Sequence, residues 1–343
     1  MRILLDGMGG DNAPLEIVKG AVWASKEIED EIVILGDENL IKAELAKYEY
    51  DRSKISVKHT SEVILQEDSP VKAVRRKKDS SMVVGIEMIG RGEGDLLVSA
   101  GNTGALMAGS TIILGRIAGL ERPALASVYP ILGGKASLLV DAGANAECRP
   151  NNLLEFATMG SIYMEKVLGR SNPKVGLVNI GAEEGKGNSL MKEAHQLLKA
   201  TERLNFSGNV EARDIPAGAC DVIVCDGFTG NIILKLTEGM AWSILKLIKK
   251  KFTEGAVAKM GAALLSGKLK EMKGAFDYSE YGGAPILGVK GPVVKMHGSS
   301  SANSVKNTII KGIPYAKENV ISIITEELEK ISEMEVLSSS ADE

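Results

Sequence analysis

KVGLVNIGAEEGKGNS, residues 174–189, places three kinds of local structure in one short stretch. Lys174-Val175-Gly176-Leu177-Val178 is a compact apolar, β-branched run, the pattern of a buried strand. Asn179–Asn188 is polar and glycine-rich, and Ser189 opens a helical pattern that continues to about residue 204. Strand, glycine loop and helix in that order form the repeating half of a parallel α/β sheet. The same order recurs in both directions along the chain. Strands are expected at 2–5, 32–36, 55–58, 95–99, 124–129, 136–140, 174–180, 209–212 and 221–225. Helices are expected at 14–28, 38–47, 70–91, 104–118, 151–168, 189–204, 229–252, 255–273 and 303–331. The reading is an α/β protein with a mostly parallel sheet and helices on both faces.

The 343 residues suffice for one large domain or two lobes around a cleft. We expect one catalytic domain over 1–331, divisible into lobes 1–125 plus 300–331 and 126–299. A helical hairpin at 240–273 and a disordered tail at 332–343 complete the expected organisation. Aromatic residues are only 4% of the chain, so the core is built from Val, Ile, Leu, Ala and Met. A net charge of −4 gives no global attraction to nucleic acid. Cys148, Cys220 and Cys225 fit no metal spacing and are odd in number for a disulfide framework, so a reduced, cytoplasmic setting is expected. Arg2-Ile3-Leu4-Leu5 already reads as a strand, so no signal peptide is expected, and no run reaches the ~18 apolar residues that a membrane span needs.

Five glycine-rich segments stand where strands give way to helices: 6–14, 99–105, 141–145, 179–188 and 226–231. Such junctions are where open parallel sheets bind ligands, and a single shared cleft is expected. In the 179–188 loop, Gly185-Lys186 resembles an ATP-binding phosphate loop but fails the pattern twice. Only three residues separate Gly181 from Gly185, and Gly187 stands where Ser or Thr would hold magnesium. What survives is an anion site made of free N–H groups, one lysine and a helix start. The plainer reading is a connection with a solvated lysine. Asn102, Thr103 and Gly104 follow the same logic, against a plain helix cap and tight turn. Neither loop is GxGxxG, and nicotinamide is disfavoured. Asp6 and Asp11 flank a glycine turn, and because carboxylates repel phosphate they suit orienting or capping. Tyr281–Gly298 reads as two short strands with tight turns, and His297 sits at one more strand-to-helix junction, where it is either structural or in contact with ligand. Cys148 and Cys225 adjoin Glu147 and Asp226, neighbours that raise a thiol pKa, so the cysteines read as structural.

Six of these stretches, DGMGGDNAP (6–14), SAGNTGALMAG (99–109), DAGANAEC (141–148), NIGAEEGKGN (179–188), DVIVCDGFTGNIILKLTEG (221–239) and YGGAPILGVKGPVVKMHGSS (281–300), together resemble the PlsX family of phosphate acyltransferases. The resemblance implies transfer of an acyl group from acyl carrier protein to inorganic phosphate, feeding phospholipid synthesis. It also implies a homodimer and a three-layer α/β/α fold similar to phosphotransacetylases and the isocitrate/isopropylmalate dehydrogenases. No cofactor and no metal are expected. On this reading Lys186, Asn188 and the N–H groups around Gly185–Gly187 hold phosphate or the oxyanion. Asn102, Thr103, Asp226 and Asn231 line the same cleft, and His297 shuttles a proton or contacts phosphate.

Residues 246–273 carry eight lysines against two glutamates, a net +6 in a chain of net −4. Lys249 and Lys250 flank an apolar stretch that includes Val257, Met260, Leu264 and Leu265. Three uses stand side by side: attraction of an acidic carrier protein, reversible contact with anionic lipid on the inner face of the cell membrane near the next, membrane-bound acyltransferase, or packing in a dimer. Competing functions are a phosphotransacetylase acting on coenzyme A thioesters, a metal-dependent dehydrogenase, and a non-catalytic scaffold on the membrane.

Overall fold

The computed structural model describes residues 1–133, 135–268 and 282–341, with side chains to residue 331. Eleven strands form one continuous sheet: β1 (Arg2–Asp6), β2 (Glu31–Gly36), β3 (Ile55–His59), β4 (Leu96–Ser99), β5 (Ala124–Ile131), β6 (Lys135–Val140), β7 (Lys174–Asn179), β8 (Asn205–Glu211), β9 (Val222–Val224), β10 (Ala284–Leu287) and β11 (Val293–Lys295). Their order is β3-β2-β1-β4-β11-β10-β5-β6-β9-β7-β8. All nine strands expected in the body of the chain are present, and so are the two short late ones.

Both faces of the sheet are covered, so its strands are apolar on consecutive residues and do not alternate with polar ones. Ile3 and Leu5 of β1 belong to one core and Leu4 to the other. Helices α1 (Leu15–Ser25), α2 (Glu38–Leu45), α6 (Pro150–Lys166), α7 (Ser189–Ala200) and the C-terminal pair Ala302–Lys317 and Val320–Ala341 cover the first face. Helices α3 (Pro70–Arg76), α4 (Ser81–Gly90), α5 (Thr103–Gly109) and α8 (Gly227–Thr253) cover the second, which completes three layers.

Two expected helices come out divided and a third is described only in part. The one over 70–91 breaks at Lys77, whose Nζ donates to Val63 O and Asp68 Oδ2, and restarts where Ser80 accepts from Val83 N. The one over 303–331 breaks at Asn319, in the left-handed region with φ 51°, and its second part runs on to Ala341, so most of the stretch read as a tail is helical. The one over 255–273 is α9 (Ala256–Leu264), and its expected end beyond residue 268 lies outside the described residues.

The larger correction concerns direction. β3, β2, β1, β4 and β11 run parallel, and β5 runs with them. The antiparallel β5–β6 hairpin then turns the chain round, and β6, β9, β7 and β8 are parallel to one another but opposed to the first block. The carboxyl ends of the two blocks therefore open on opposite rims of the sheet. The five glycine junctions do not share one rim.

α8 joins the two rims. It starts at the second rim, where Gly227 N donates to Asn145 O at 2.7 Å. Gly230, one turn on, lies so close to the sheet that a β-carbon there would overlap Asp141 O. From this seat the helix climbs the sheet face past Tyr129, whose hydroxyl is 2.9 Å from Thr237 Oγ1. In urea titrations Gly230→Ala should lower stability by about 1–3 kcal/mol through overpacking. Gly239→Ala, on the same helix with nothing within 4 Å of the added carbon, should instead be neutral or raise stability by about 0.5–1 kcal/mol.

Candidate active site

At the first rim the carboxyl ends of β1, β4 and β11 meet. Asp6 ends β1 and is buried, accepting from Ser81 Oγ and Ser99 Oγ at 2.6 Å each and from Met8 N at 3.2 Å. It thus ties β1, β4 and the start of α4 together. A β-carbon on Gly9 would stand 2.5 Å from Asp6 Oδ2 and 2.6 Å from Gly101 N, so the β1 and β4 loops interlock only because glycine is there. Asp11 is exposed, and its N–H donates to Gly298 O at 2.8 Å, joining the β1 loop to the loop after β11.

That last loop carries His297. Its Nδ1 accepts from Ser299 N at 3.3 Å and lies 2.8 Å from Ser299 Oγ. The backbone N–H makes Nδ1 an acceptor, which puts the neutral ring's proton on Nε2. Partial desolvation by the surrounding loops, then the charge of Lys235, hold its pKa below the ordinary value, so the ring is neutral at neutral pH. Two steps back in the chain, Lys295 is buried at the end of β11. Its Nζ donates to Ala100 O at 3.3 Å and to Met296 O. Lys235 and Glu238 of α8, ion-paired at 2.7 Å, stand close enough for their charges to act on this group, Lys235 on both Lys295 and His297 and Glu238 on His297.

The second rim is held differently. Asp141 is fully buried, and its carboxylate gathers the N–H groups of Leu125, Gly143, Ala144 and Asn145 together with the Asn145 carboxamide. Asp226 caps α8 by accepting from Thr229 N at 2.8 Å and Thr229 Oγ1 at 2.9 Å. Asn231 is exposed, and its side chain packs over Gly143. Beyond them is the β7–α7 loop. Asn188 caps α7 by accepting from Met191 N at 3.0 Å, and Gly187 takes φ +88° against Asn179. Lys186 is exposed, its backbone O accepting from Asn179 Nδ2 at 3.2 Å, and Gly185 is open to solvent.

The structure therefore brings Asp6, Asp11 and His297 to one rim, with Asn102, Thr103 and Gly104 beside them after β4. It does not bring Lys186, Asn188, Gly185 or Gly187 to that group. β11 and β7 are five strand steps apart in the sheet, about 24 Å at ~4.8 Å per step, and they open on opposite rims. Asn102 has its carboxamide fully engaged, accepting from Ala105 N at 2.9 Å and donating to the carbonyls of Leu65, Gln66 and Asp68, which makes it a helix cap and loop tie. Thr103 and Gly104 are exposed in the first turn of α5. Sequence reasoning missed Lys295 and Lys235. The signal for Lys295 was a charge inside the apolar run Pro292-Val293-Val294-Lys295-Met296, a run that otherwise reads as buried.

Solved structures of the same architecture include phosphotransacetylases. The phosphotransacetylase of Streptococcus pyogenes superposes with a TM-score of 0.63 at 17% identity over 93% of this chain and 94% of that one. EutD phosphotransacetylase from Staphylococcus aureus gives a TM-score of 0.58 at 18% identity over 92% and 94%. At these identities the likeness is one of fold, and the expected three-layer α/β/α class holds. Sequence relationships go further. Residues 1–323 match the family described as "Fatty acid synthesis protein". The chain is 54% identical over 335 residues to the phosphate acyltransferase of Alkaliphilus oremlandii (strain OhILAs), covering 98% of this chain and 99% of that one. It is 50% identical over 333 residues to the phosphate acyltransferase of Clostridioides difficile (strain 630), covering 97% and 98%. The chain belongs to this phosphate acyltransferase family, the PlsX family of its motifs.

The three thiols are buried or half-buried and held in the protonated form. Burial, then the charges of Asp141 and Asp226, push Cys148 up to about 12. Burial and Asp221 do the same to Cys220, also to about 12, and Cys225 is raised well above its usual value by burial first. A thiol attacks as its thiolate, so raised values mean inert groups. Iodoacetamide at pH 7–8 should leave all three unlabelled in the folded protein and modify all three in urea, as read by mass spectrometry.

Proposed function

We infer that this acyltransferase moves a fatty acyl group from the thioester of acyl carrier protein to inorganic phosphate, giving an acyl phosphate for phospholipid synthesis. Near full-length relatives of that name support the reaction. The observation that carries the chemistry is the group at the first rim: a neutral histidine with its proton on Nε2, a buried ammonium and interlocked glycine loops, with the charges of α8 acting on them. A phosphate oxygen attacks the thioester carbonyl carbon, and the C–O bond forms as the carbonyl electrons move to oxygen. Collapse of the tetrahedral oxyanion breaks the C–S bond, and the leaving thiolate takes a proton from water. Thiols ionise near ~8.5, so the leaving group needs little help, and positioning with oxyanion stabilisation supplies the rate. His297 Nε2–H is a donor for that purpose.

The loop at the end of β7 is the second candidate for the acceptor. The two are separable by mass-spectrometric or colorimetric measurement of acyl phosphate at varied phosphate. His297→Ala should lower turnover about 100-fold, the usual loss of one such donor. His297→Gln should recover part of it, because a carboxamide N–H also donates. A Gln variant as inactive as Ala points to proton transfer instead. Lys186→Ala should leave the phosphate KM unchanged, and a strong rise there moves the acceptor to the β7 loop.

The hairpin at the far end of α8 supports a peripheral role. Val257, Met260 and Leu264 are 82%, 68% and 87% exposed, and Lys249–Lys251 stand at the foot of α9. Among the described residues no helix is long and apolar enough to cross a membrane. The arrangement suits transient contact with an anionic lipid surface at the inner face of the membrane, near the next acyltransferase. The basic flank suits an acidic carrier protein, and the exposed Phe228, Ile232, Leu236 and Met240 row on α8 suits a homodimer. Val257→Glu combined with Leu264→Glu should abolish flotation with anionic liposomes while gel filtration is unchanged. Loss of the dimer with retained flotation assigns the tip to subunit packing.

A further inference from the structure

One charged group at the first rim lies within the 281–300 stretch but was not singled out there, and it is not used by the steps above. Lys295 ends β11 with 8% of its surface exposed. Its Nζ gives two of its three N–H groups to the carbonyls of Ala100 and Met296. The carboxylates that act on it are Asp6, whose oxygens already serve two serine hydroxyls, and Asp11 on the β1 loop. The charge of Lys235 on α8 opposes it, and His297 follows it in the chain, itself under the influence of Glu238. A buried ammonium is retained at a cost, and one that satisfies two neutral carbonyls while a donor remains is a site unfinished by the protein itself.

We propose that Lys295 is a catalytic residue that supplies the fixed positive charge for the acceptor phosphate and for the tetrahedral intermediate formed from it. Phosphate brings the negative oxygen that completes the ammonium's donor set, and the ring N–H of His297 lies on the same rim to share the load. The proposal rests on the acyl-transfer reading above. Asp6 and Asp11 keep the group charged in a desolvated place, and Lys235 works against them. Burial brings the lysine down to about 8 in spite of Asp6, with Lys235 adding to the fall and Asp11 opposing it. Its charged form is present below that value and is lost as the pH rises through it. Phosphate-dependent kcat/KM should therefore have an alkaline limb set by Lys295.

The test is the pH dependence of acyl phosphate formation from acyl carrier protein thioester and inorganic phosphate, in wild type and four variants. Lys295→Met should lose on the order of 100-fold in kcat/KM for phosphate. Lys295→Arg should recover part of that and lose the limb, because arginine does not titrate in this range. Lys235→Met removes an opposing charge and should move the limb to higher pH. Asp11→Asn removes a supporting one and should move it lower. A limb that stays in place in both variants overturns the proposal, as does a Lys295→Met protein with wild-type phosphate KM and only a lowered melting temperature. Should Lys295→Met not fold, the Lys235 and Asp11 variants, both at exposed positions, decide alone. A wild-type protein that forms no acyl phosphate overturns the acyl-transfer reading itself, a different result from either.

Discussion

The seating of α8 on the Asp141 turn is the contact on which the rest of the site depends. Asp141 gathers four backbone N–H groups and one carboxamide into a tight turn after β6, and Gly227 and Gly230 let the helix rest directly on that backbone. Any side chain at Gly230 would lift the first turn of the helix. A long helix lifted at its base is displaced along its whole length, and Lys235 and Glu238 would leave their places opposite Lys295 and His297. A backbone contact at one rim thus sets the electrostatics at the other.

The sheet explains why such a bridge is needed. Each parallel block opens its strand ends on its own rim, and the β5–β6 hairpin separates them. Loops of one block alone give an incomplete site. The first rim has a histidine, a buried lysine and two carboxylates, with the start of α4 bonded to Asp6 and α8 bringing the charges of Lys235 and Glu238 to bear on the lysine and the histidine. α8 reaches them because it begins at the second rim and passes the first, where Thr237, two residues past Lys235, meets the Tyr129 hydroxyl.

Much of this was legible in the sequence. Apolar runs such as Arg2–Leu5 and Lys174–Val178 mark strands, because a strand buried on both faces has no polar alternation. The direction of those strands was not legible, since an apolar run reads alike whichever way the strand points. The shared cleft expected from five glycine junctions failed for that reason. Within the site, Asp6 was expected to orient or cap, and its carboxylate accepts from Ser81, Ser99 and Met8 N. Asn102, Asn188 and Asp226 sit at helix starts, where such side chains satisfy free N–H groups before any ligand does, and their capping bonds are what the fold uses first. Lys295 escaped notice because one charge in an apolar run resembles the end of a strand, and only the packing of three loops around it reveals its burial.

α8 is 27 residues long, about 40 Å at ~1.5 Å per residue, and it is unbroken between the cleft and the exposed tip. From Lys235 to the helix end at Thr253 the rise is roughly 27 Å. The helix is in effect a standoff: a surface or partner that grips the tip holds the reacting centre at a set height above it. Contact at the tip therefore fixes where the chemistry takes place without entering it. The reach required of a donor's arm, or of a product moving to its next enzyme, is a length written into the helix.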